Sequence, residues 1–456
     1  MAGLAVEMVR KWYERNPCWK QKLSHGVQQL RAGNTSAKLS VACGAPYLPS
    51  VTQHIKHMHL ENLAKTRQRV FIEPFTSVLS SPTTAQPSLD PREPSRPVGF
   101  DTELLNLKAM NVALPQNGSP KSPLSHYRLL SPTASVRVSP LCLGSMNFGD
   151  ACYQFEQSET WIGEWMRKRG NRDQMVISTK YTTNFKAGPN HPHIMANCVG
   201  NGTKSLHVSV NASLKKLQTD YIDLLYIHWW DFSASIPEVM QSLNQLVATG
   251  KVLYLGISDA PAWIVSKANE YARNHCLRQF SVYQGRWSAA CRDLERDVIP
   301  MCKAEGMAIT PWGSLGGGNF KTEEARRSNE GRKSEISDAD VKTSQALEAI
   351  AVRKNTAITS IALAYIMHKT PYVFPVIGGR KVEHLKGNIE ALTIELTDEE
   401  VQEIESAVPF DLGFPHNFLW GQQVPNPLQN IWLLSTAGNF DHVEDAKPIK
   451  PKKYGE

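Results

Sequence analysis

No run of about 18 apolar residues occurs in this chain of 456 residues, which excludes a membrane-spanning helix on sequence grounds. The eight cysteines form no CxxC pair and no zinc-like His/Cys spacing, so no metal site is expected and they read as reduced thiols. The first residues carry no apolar signal core. Arg10, Lys11 and Arg15 would suit a mitochondrial transit peptide, but Glu7 and Glu14 oppose that reading, and a cytoplasmic location is expected. Charge of one sign is also scarce over most of the chain. Residues 1–126 hold 15 basic and 8 acidic side chains, leaving 35 of each for the rest, so the formal charge of +7 belongs wholly to the first quarter. No aromatic-basic repeat accompanies this excess, which therefore reads as a solvated extension rather than a nucleic-acid or membrane arm.

What is present is ordinary globular material, 41% apolar and 20% charged. Length suggests about three domains of roughly 150 residues, although an α/β barrel can absorb about 250 as one. Residues 1–125 read as a low-complexity, largely disordered basic extension, with Ser/Thr/Pro-rich stretches such as SSPTTAQPSLDPREPSRP. At residue 126 the texture changes. YRLLSP and SVRVSP form a hairpin pattern leading into a buried strand over 141–149.

One rhythm then repeats: a short branched-apolar run, a polar loop, and a helical pattern. The runs are MVISTK, IDLLYIHW, VLYLGIS, FSVYQG, MAITPWG and FPVIGG. Helices are expected over 156–169, 208–217, 236–248, 261–274, 294–305, 339–353 and 384–392. Such alternation predicts a parallel sheet covered on its faces, with seven strands where a closed (β/α)8 barrel needs eight. The deficit has a location. Only GDACYQF separates the first strand from the first helix, whereas a parallel crossover takes about a dozen residues or more. Residues 407–456 form an aromatic-rich tail with Phe410, Phe414, Phe418, Trp420 and Trp432.

Polar residues gather at the C-terminal strand ends, where barrels build their sites. Lys180 ends MVISTK, His228 ends IDLLYIHW, Ser258 and Asp259 end VLYLGISD, and Gln284 ends FSVYQ. Taken together at equivalent positions they point to one rim.

The stretch from Tyr127 to about Ala391 resembles the aldo-keto reductases, in the fungal branch of aryl-alcohol dehydrogenases and norsolorinic acid reductase-like proteins. PLCLGSMNFGD, YQFEQSETWIGEWM, ISTKYT, SVNASLKKLQTDYIDLLYIHWWD, GKVLYLGISDAPAWIV, TPWGSLGGGNF and VIGGRKVEHLKGNIEAL carry the likeness. It implies a (β/α)8 barrel over 126–406 and NADPH-dependent interconversion of carbonyls and alcohols, with an aromatic small molecule as substrate. Of the family's catalytic tetrad, Tyr153, Lys180 and His228 match. In the implied mechanism Tyr153 gives a proton to the carbonyl oxygen, Lys180 lowers the pKa of that phenol, and His228 orients the carbonyl. The tetrad Asp is missing from its usual place, and the only acid nearby is Asp150, three residues before Tyr153. The unit that normally carries it, helix 1 and strand 2, is expected to be absent.

The implied NADP(H) site comprises Ser258, Asp259 and Gln284, then Trp312, Gly313, Ser314, Leu315, Gly316 and Gly318, then Gly379, Arg380, Lys381 and Asn388. Arg380 and Lys381 suit a 2′-phosphate. Tyr283 or Trp287 would pack near the nicotinamide ring. The alternative readings are a catalytically impaired NADP-binding or regulatory homologue, and a defective gene product. The sequence leaves the exact substrate and the oligomeric state open.

Overall fold

A computed structural model describes residues 120–146, 148, 156–187, 194–327, 335–379, 381–420, 431–441 and 443–452. The expected extension therefore lies outside the described residues except for its last six. So do Asp150, Tyr153 and Arg380.

The first elements are the antiparallel strands β1 (Arg128–Ser131) and β2 (Ala134–Val138), joined by the two-residue turn Pro132-Thr133. Strand β3 (Cys142–Leu143) is followed by helix α1 (Gln157–Arg169). From there strands and helices alternate: β4 (Ser178–Tyr181), α2 (Thr203–Leu217), β5 (Ile222–Ile227), α3 (Ile236–Ala248), β6 (Val252–Ser258) and α4 (Ala262–Asn274). Then come β7 (Phe280–Gln284), α5 (Val298–Ala304), β8 (Ala308–Ile309), α6 (Glu323–Arg327), α7 (Asp338–Arg353), α8 (Ile358–Lys369), β9 (Val376–Ile377) and α9 (Val382–Glu390). Helices α10 (Asp398–Ser406) and α11 (His416–Trp420) follow.

The expected hairpin and most of the expected helices recur within a few residues of their predicted bounds. Four helices were not anticipated, the short α6 and α11 and the longer α8 and α10. In α8 nearly every side chain is buried, so no polar face gives it a period. In α10 the start is marked by Thr397 and Glu400, which exchange side-chain-to-backbone bonds in a capping box.

Strands β4 to β8 form one sheet in sequence order, every neighbouring pair parallel. A parallel bridge between Ile309 and Val373 carries the sheet to β9, and β9 pairs with β3 in parallel. The lateral order is thus β4-β5-β6-β7-β8-β9-β3, seven parallel strands among the described residues. Among the described residues no backbone pairing joins β3 to β4. The first turn of α1 touches both flanks instead. Ser158 Oγ donates to Ser145 Oγ at 2.7 Å, and Thr179 Oγ1 donates to Glu159 Oε1 at 2.6 Å.

Strands β5, β7 and β8 are buried on both faces, as their apolar runs predict. Alternate side chains serve two cores. Outward-facing Leu225, Ile227, Leu255, Ile257 and Phe280 pack under the helices. Inward-facing Leu224, Tyr226, Val282, Ala308 and Phe374 pack on Leu130 and Ala134 of the hairpin, which plugs the end of the sheet where the strands begin. Among the described residues no helix is long and apolar enough to cross a membrane.

Candidate functional site

The alternation that builds the inner core also aims the polar strand ends. Lys180 is the register partner of Tyr226, so both face inward, and its Nζ lies 5.4 Å from the Tyr226 ring centroid. That ring lies over Gly256, where a Cβ would come within 2.5 Å of it, so glycine is required there by space alone. Tyr226 Oη and Thr310 Oγ1 are hydrogen bonded at 3.0 Å, and Gln284 Nε2 donates to the same Thr310 at 3.3 Å. Burial pushes the Lys180 ammonium below its usual range, partly offset by Cys142 and Asp259. Burial in turn raises the Cys142 thiol.

His228 follows β5 by one residue. Burial and the charge of Lys180 lower its pKa to about 4, so it is neutral at physiological pH. Its Nδ1 lies 3.0 Å from Thr183 Oγ1, which accepts from Trp229 Nε1 at 3.0 Å. An indole N–H can only donate, so one lone pair of the Thr183 hydroxyl is taken and its hydrogen is available to Nδ1. A donation from Thr183 to Nδ1 goes with the tautomer that carries the proton on Nε2.

At the end of β6, Ser258 Oγ donates to Asp259 Oδ2 at 2.8 Å, and Trp312 Nε1 lies 3.1 and 3.2 Å from the two carboxylate oxygens. Burial raises the pKa of Asp259 even so, with Ser258, Trp312 and Lys180 opposing it. Tyr283 and Trp287, expected near a cofactor ring, are buried in the helix-facing core. Tyr283 Oη donates to Ala260 O at 2.8 Å, and Trp287 Nε1 to Glu295 Oε1 at 3.1 Å.

Past β8 the chain turns through Gly313, Ser314 and Leu315 into Gly316, Gly317 and Gly318. Gly313, Gly316, Gly317 and Gly318 have positive φ, and a Cβ on Gly317 would meet nothing within 4 Å. Ser314 Oγ is buried without a hydrogen-bond partner. The N–H groups of Gly316 and Gly318 are spent inside the turn, on Gly313 O at 2.8 Å and Leu315 O at 3.0 Å, so the unused buried hydroxyl of Ser314 is the group that fits a dinucleotide phosphate. Gly379 closes on α9, where a Cβ would fall 2.7 Å from His384 Cβ. Lys381 is exposed at the N-cap of α9, and Asn388 is buried on that helix.

The structure thus groups Lys180, His228, Ser258, Asp259, Gln284 and Trp312 at the ends of neighbouring strands. Gly313 to Gly318 follow β8, and Gly379, Lys381 and Asn388 follow β9. Sequence reasoning missed Cys142, Thr183, Tyr226 and Thr310. Inward parity along each strand would have found Tyr226 and Cys142, whereas the contacts of Thr183 depend on the loop after β4.

A family model described as the aldo/keto reductase family matches residues 143–409. The chain is 52% identical over 372 residues to norsolorinic acid reductase B of Dothistroma septosporum, covering 72% of this chain and 94% of that protein. It is 52% identical over 367 residues to an aryl-alcohol dehydrogenase of Pestalotiopsis microspora, covering 73% and 95%. Against a putative aryl-alcohol dehydrogenase of Saccharomyces cerevisiae the identity is 48% over 366 residues, covering 71% and 97%. The family fold is the (β/α)8 barrel, to which these parallel strands and covering helices conform. The chain belongs to the aldo/keto reductase family of oxidoreductases, enzymes that act on carbonyl and alcohol groups.

Proposed function

We propose that this protein reduces aryl or polyketide-derived aldehydes and ketones to alcohols with NADPH. The observation that carries the proposal is the convergence of Lys180 and the neutral His228 on the inner rim, beside a glycine turn with an unsatisfied Ser314 hydroxyl. Ser258, Gln284 and the Asp259–Trp312 pair would hold the nicotinamide end of the cofactor. Gly313 to Gly318 would hold the pyrophosphate, and Arg380, Lys381 and Asn388 the adenosine 2′-phosphate, where helix dipole and cationic side chains act together. When bound, the reduced nicotinamide supplies a hydride.

The protein's own part is to manage the carbonyl oxygen. Tyr153 is the proton donor in this reading. A phenol of pKa about 10 is a weak acid at neutral pH, and the Lys180 ammonium stabilises the phenolate it leaves. His228 Nε2–H, held in that tautomer by Thr183, donates to the carbonyl oxygen and orients it. Asp150 stands in for the tetrad acid. The inner face of the strands, lined with Tyr226 and its neighbours, excludes water from the reacting centre. The substrate is a small molecule met in the cytoplasm, and residues 1–125 and 407–456 lie outside the catalytic barrel.

A second reading, a nicotinamide-binding homologue without turnover, rests on one expectation from the sequence: that helix 1 and strand 2 are absent. The lack of a β3–β4 pairing among the described residues supports that omission. NADPH titration with turnover of an aryl aldehyde separates the two. Saturable binding with turnover, both surviving in wild type and turnover lost in Tyr153→Phe, supports the first reading. Binding without turnover supports the second.

A further inference from the structure

Thr182 has φ 101°, a conformation that a β-branched residue adopts only where its surroundings impose it, and it is wholly buried two residues past Lys180. The side chain that holds it there is Asn201. Asn201 is equally buried and stands one residue before the N-cap of α2. Its Nδ2 donates to Thr182 Oγ1 at 2.9 Å and to Trp229 O at 3.0 Å, and its Oδ1 accepts from Asp231 N–H at 2.8 Å. Asp231 returns the bond, since its Oδ2 accepts from Asn201 N–H at 2.7 Å. Both amide hydrogens and the carbonyl oxygen of one side chain are thus spent on the loops that follow β4 and β5.

His228 lies inside this ring of bonds. Its N–H donates to Tyr181 O at 3.1 Å and to Thr182 Oγ1 at 3.3 Å, while the carbonyl of the next residue, Trp229, takes the second hydrogen of Asn201. One amide therefore braces the backbone on both sides of the imidazole. The turn at Thr182 also delivers the following residue, Thr183, to His228 Nδ1. Gly200 N–H donates to Thr182 O at 2.8 Å, and a Cβ on Gly200 would fall 2.7 Å from Asp231 Oδ2, so the closure admits no side chain there.

We propose that Asn201 is a positioning residue that keeps Thr182 in its strained conformation and thereby fixes the direction of the His228 imidazole. The inference rests on the reading of His228 as the group that orients the carbonyl oxygen. Asn201 acts through Thr182 and the Trp229 backbone and has no contact of its own with the reacting atoms. Such bracing matters because a misplacement of about 1 Å costs up to roughly a hundredfold in rate.

Imidazole NMR of the full chain reads the hold on His228 without turnover. The resonance, assigned by its loss in His228→Gln, should titrate at about pH 4 in the wild type, where burial and the Lys180 charge oppose protonation. In Asn201→Ala the ring should loosen toward water and titrate closer to the ordinary 6.5. With it, kcat for an aryl aldehyde should fall by about ten- to a hundredfold while NADPH affinity stays unchanged. Thr182→Val keeps the shape of the side chain but removes the acceptor, so it should reproduce both changes, and Thr182→Ser, which keeps the hydroxyl, should restore most of the loss. The valine variant decides the matter if Asn201→Ala does not fold. A lowered Tm with the titration and kcat of the wild type would mean that Asn201 only ties two loops together, and would overturn the proposal. Absence of turnover in the wild type, with the His228 titration moving in Asn201→Ala as expected, would strike the reading of the site and leave the brace standing.

Discussion

His228 shows how one residue's surroundings decide its chemistry. Its pKa of about 4 in the folded protein lies below the ordinary 6.5, so the unfolded chain takes up a proton between pH 6.5 and 4 that the folded chain refuses. Stability from this residue is therefore complete above pH 6.5 and declines as the pH falls toward 4, by up to about 3 kcal/mol. Chemical denaturation across that range, repeated on His228→Gln, should show the decline shrinking in the variant; an unchanged slope would assign it elsewhere. Thr183 is the hydrogen-bond partner of His228 Nδ1. Thr183→Val leaves Trp229 N–H without its acceptor and His228 Nδ1 without its donor, and it should lower kcat for an aryl aldehyde by about ten- to a hundredfold with the NADPH affinity unchanged. Steady-state kinetics beside NADPH titration checks the split. Lys180 and His228 could be named from sequence because each ends an apolar run. The Trp229–Thr183 and Trp312–Asp259 bonds could not, since each joins residues dozens of positions apart through the geometry of neighbouring strand ends.

At the scale of elements, small residues set the distances. Gly163 lets α1 lie against the end of α2 so closely that a Cβ would come within 2.3 Å of Lys216 O and 2.6 Å of Leu217 C. Neither neighbour is a flexible side-chain tip. Gly163→Ala should therefore push the helices apart and destabilise the fold by about 1–3 kcal/mol, read as a lowered Tm. Close by, Lys216 bonds Glu159 at 2.7 Å and Glu159 accepts from Thr179, so displacement of α1 would also loosen its hold on β4. Helices with one buried stripe, such as α3, were readable from periodicity. The bounds of β8 and β9 were overestimated, since MAITPWG and FPVIGG supply only two ladder residues each before the chain turns toward the site. Prolines 311 and 375 explain part of that shortening, because neither can donate to a neighbouring strand.

For the whole molecule, the last helices are tied to the barrel by buried charge. Arg292 pairs with Glu295 at 2.8 Å and with Glu405 of α10 at 3.2 Å, while Lys369 of α8 reaches both carboxylates. Burial alone would raise the carboxyl of Glu295, but Lys369 and Arg292 together with Trp287 hold it below its usual value. Removing the cation strands a buried anion. Arg292→Leu should cost about 3–5 kcal/mol, measured by urea unfolding, and a loss under 1 kcal/mol would show that Lys369 compensates. The order of the seven parallel strands among the described residues was legible in the alternating rhythm, because each parallel strand needs its own apolar run. The ion cluster was not, since Arg292, Glu295, Lys369 and Glu405 come from segments without a shared pattern.

The enclosure of α8 has a further use. With Ile361, Ala362, Leu363, Ala364, Tyr365 and Ile366 all shielded from solvent, the middle of this helix offers no route by which water can reach its amides through local fraying. Deuterium would enter only when the surrounding body comes apart. The exchange of those few amides is thus a built-in gauge of global opening, and its slowing on addition of NADPH would report how much a ligand held several strands away restrains the whole barrel.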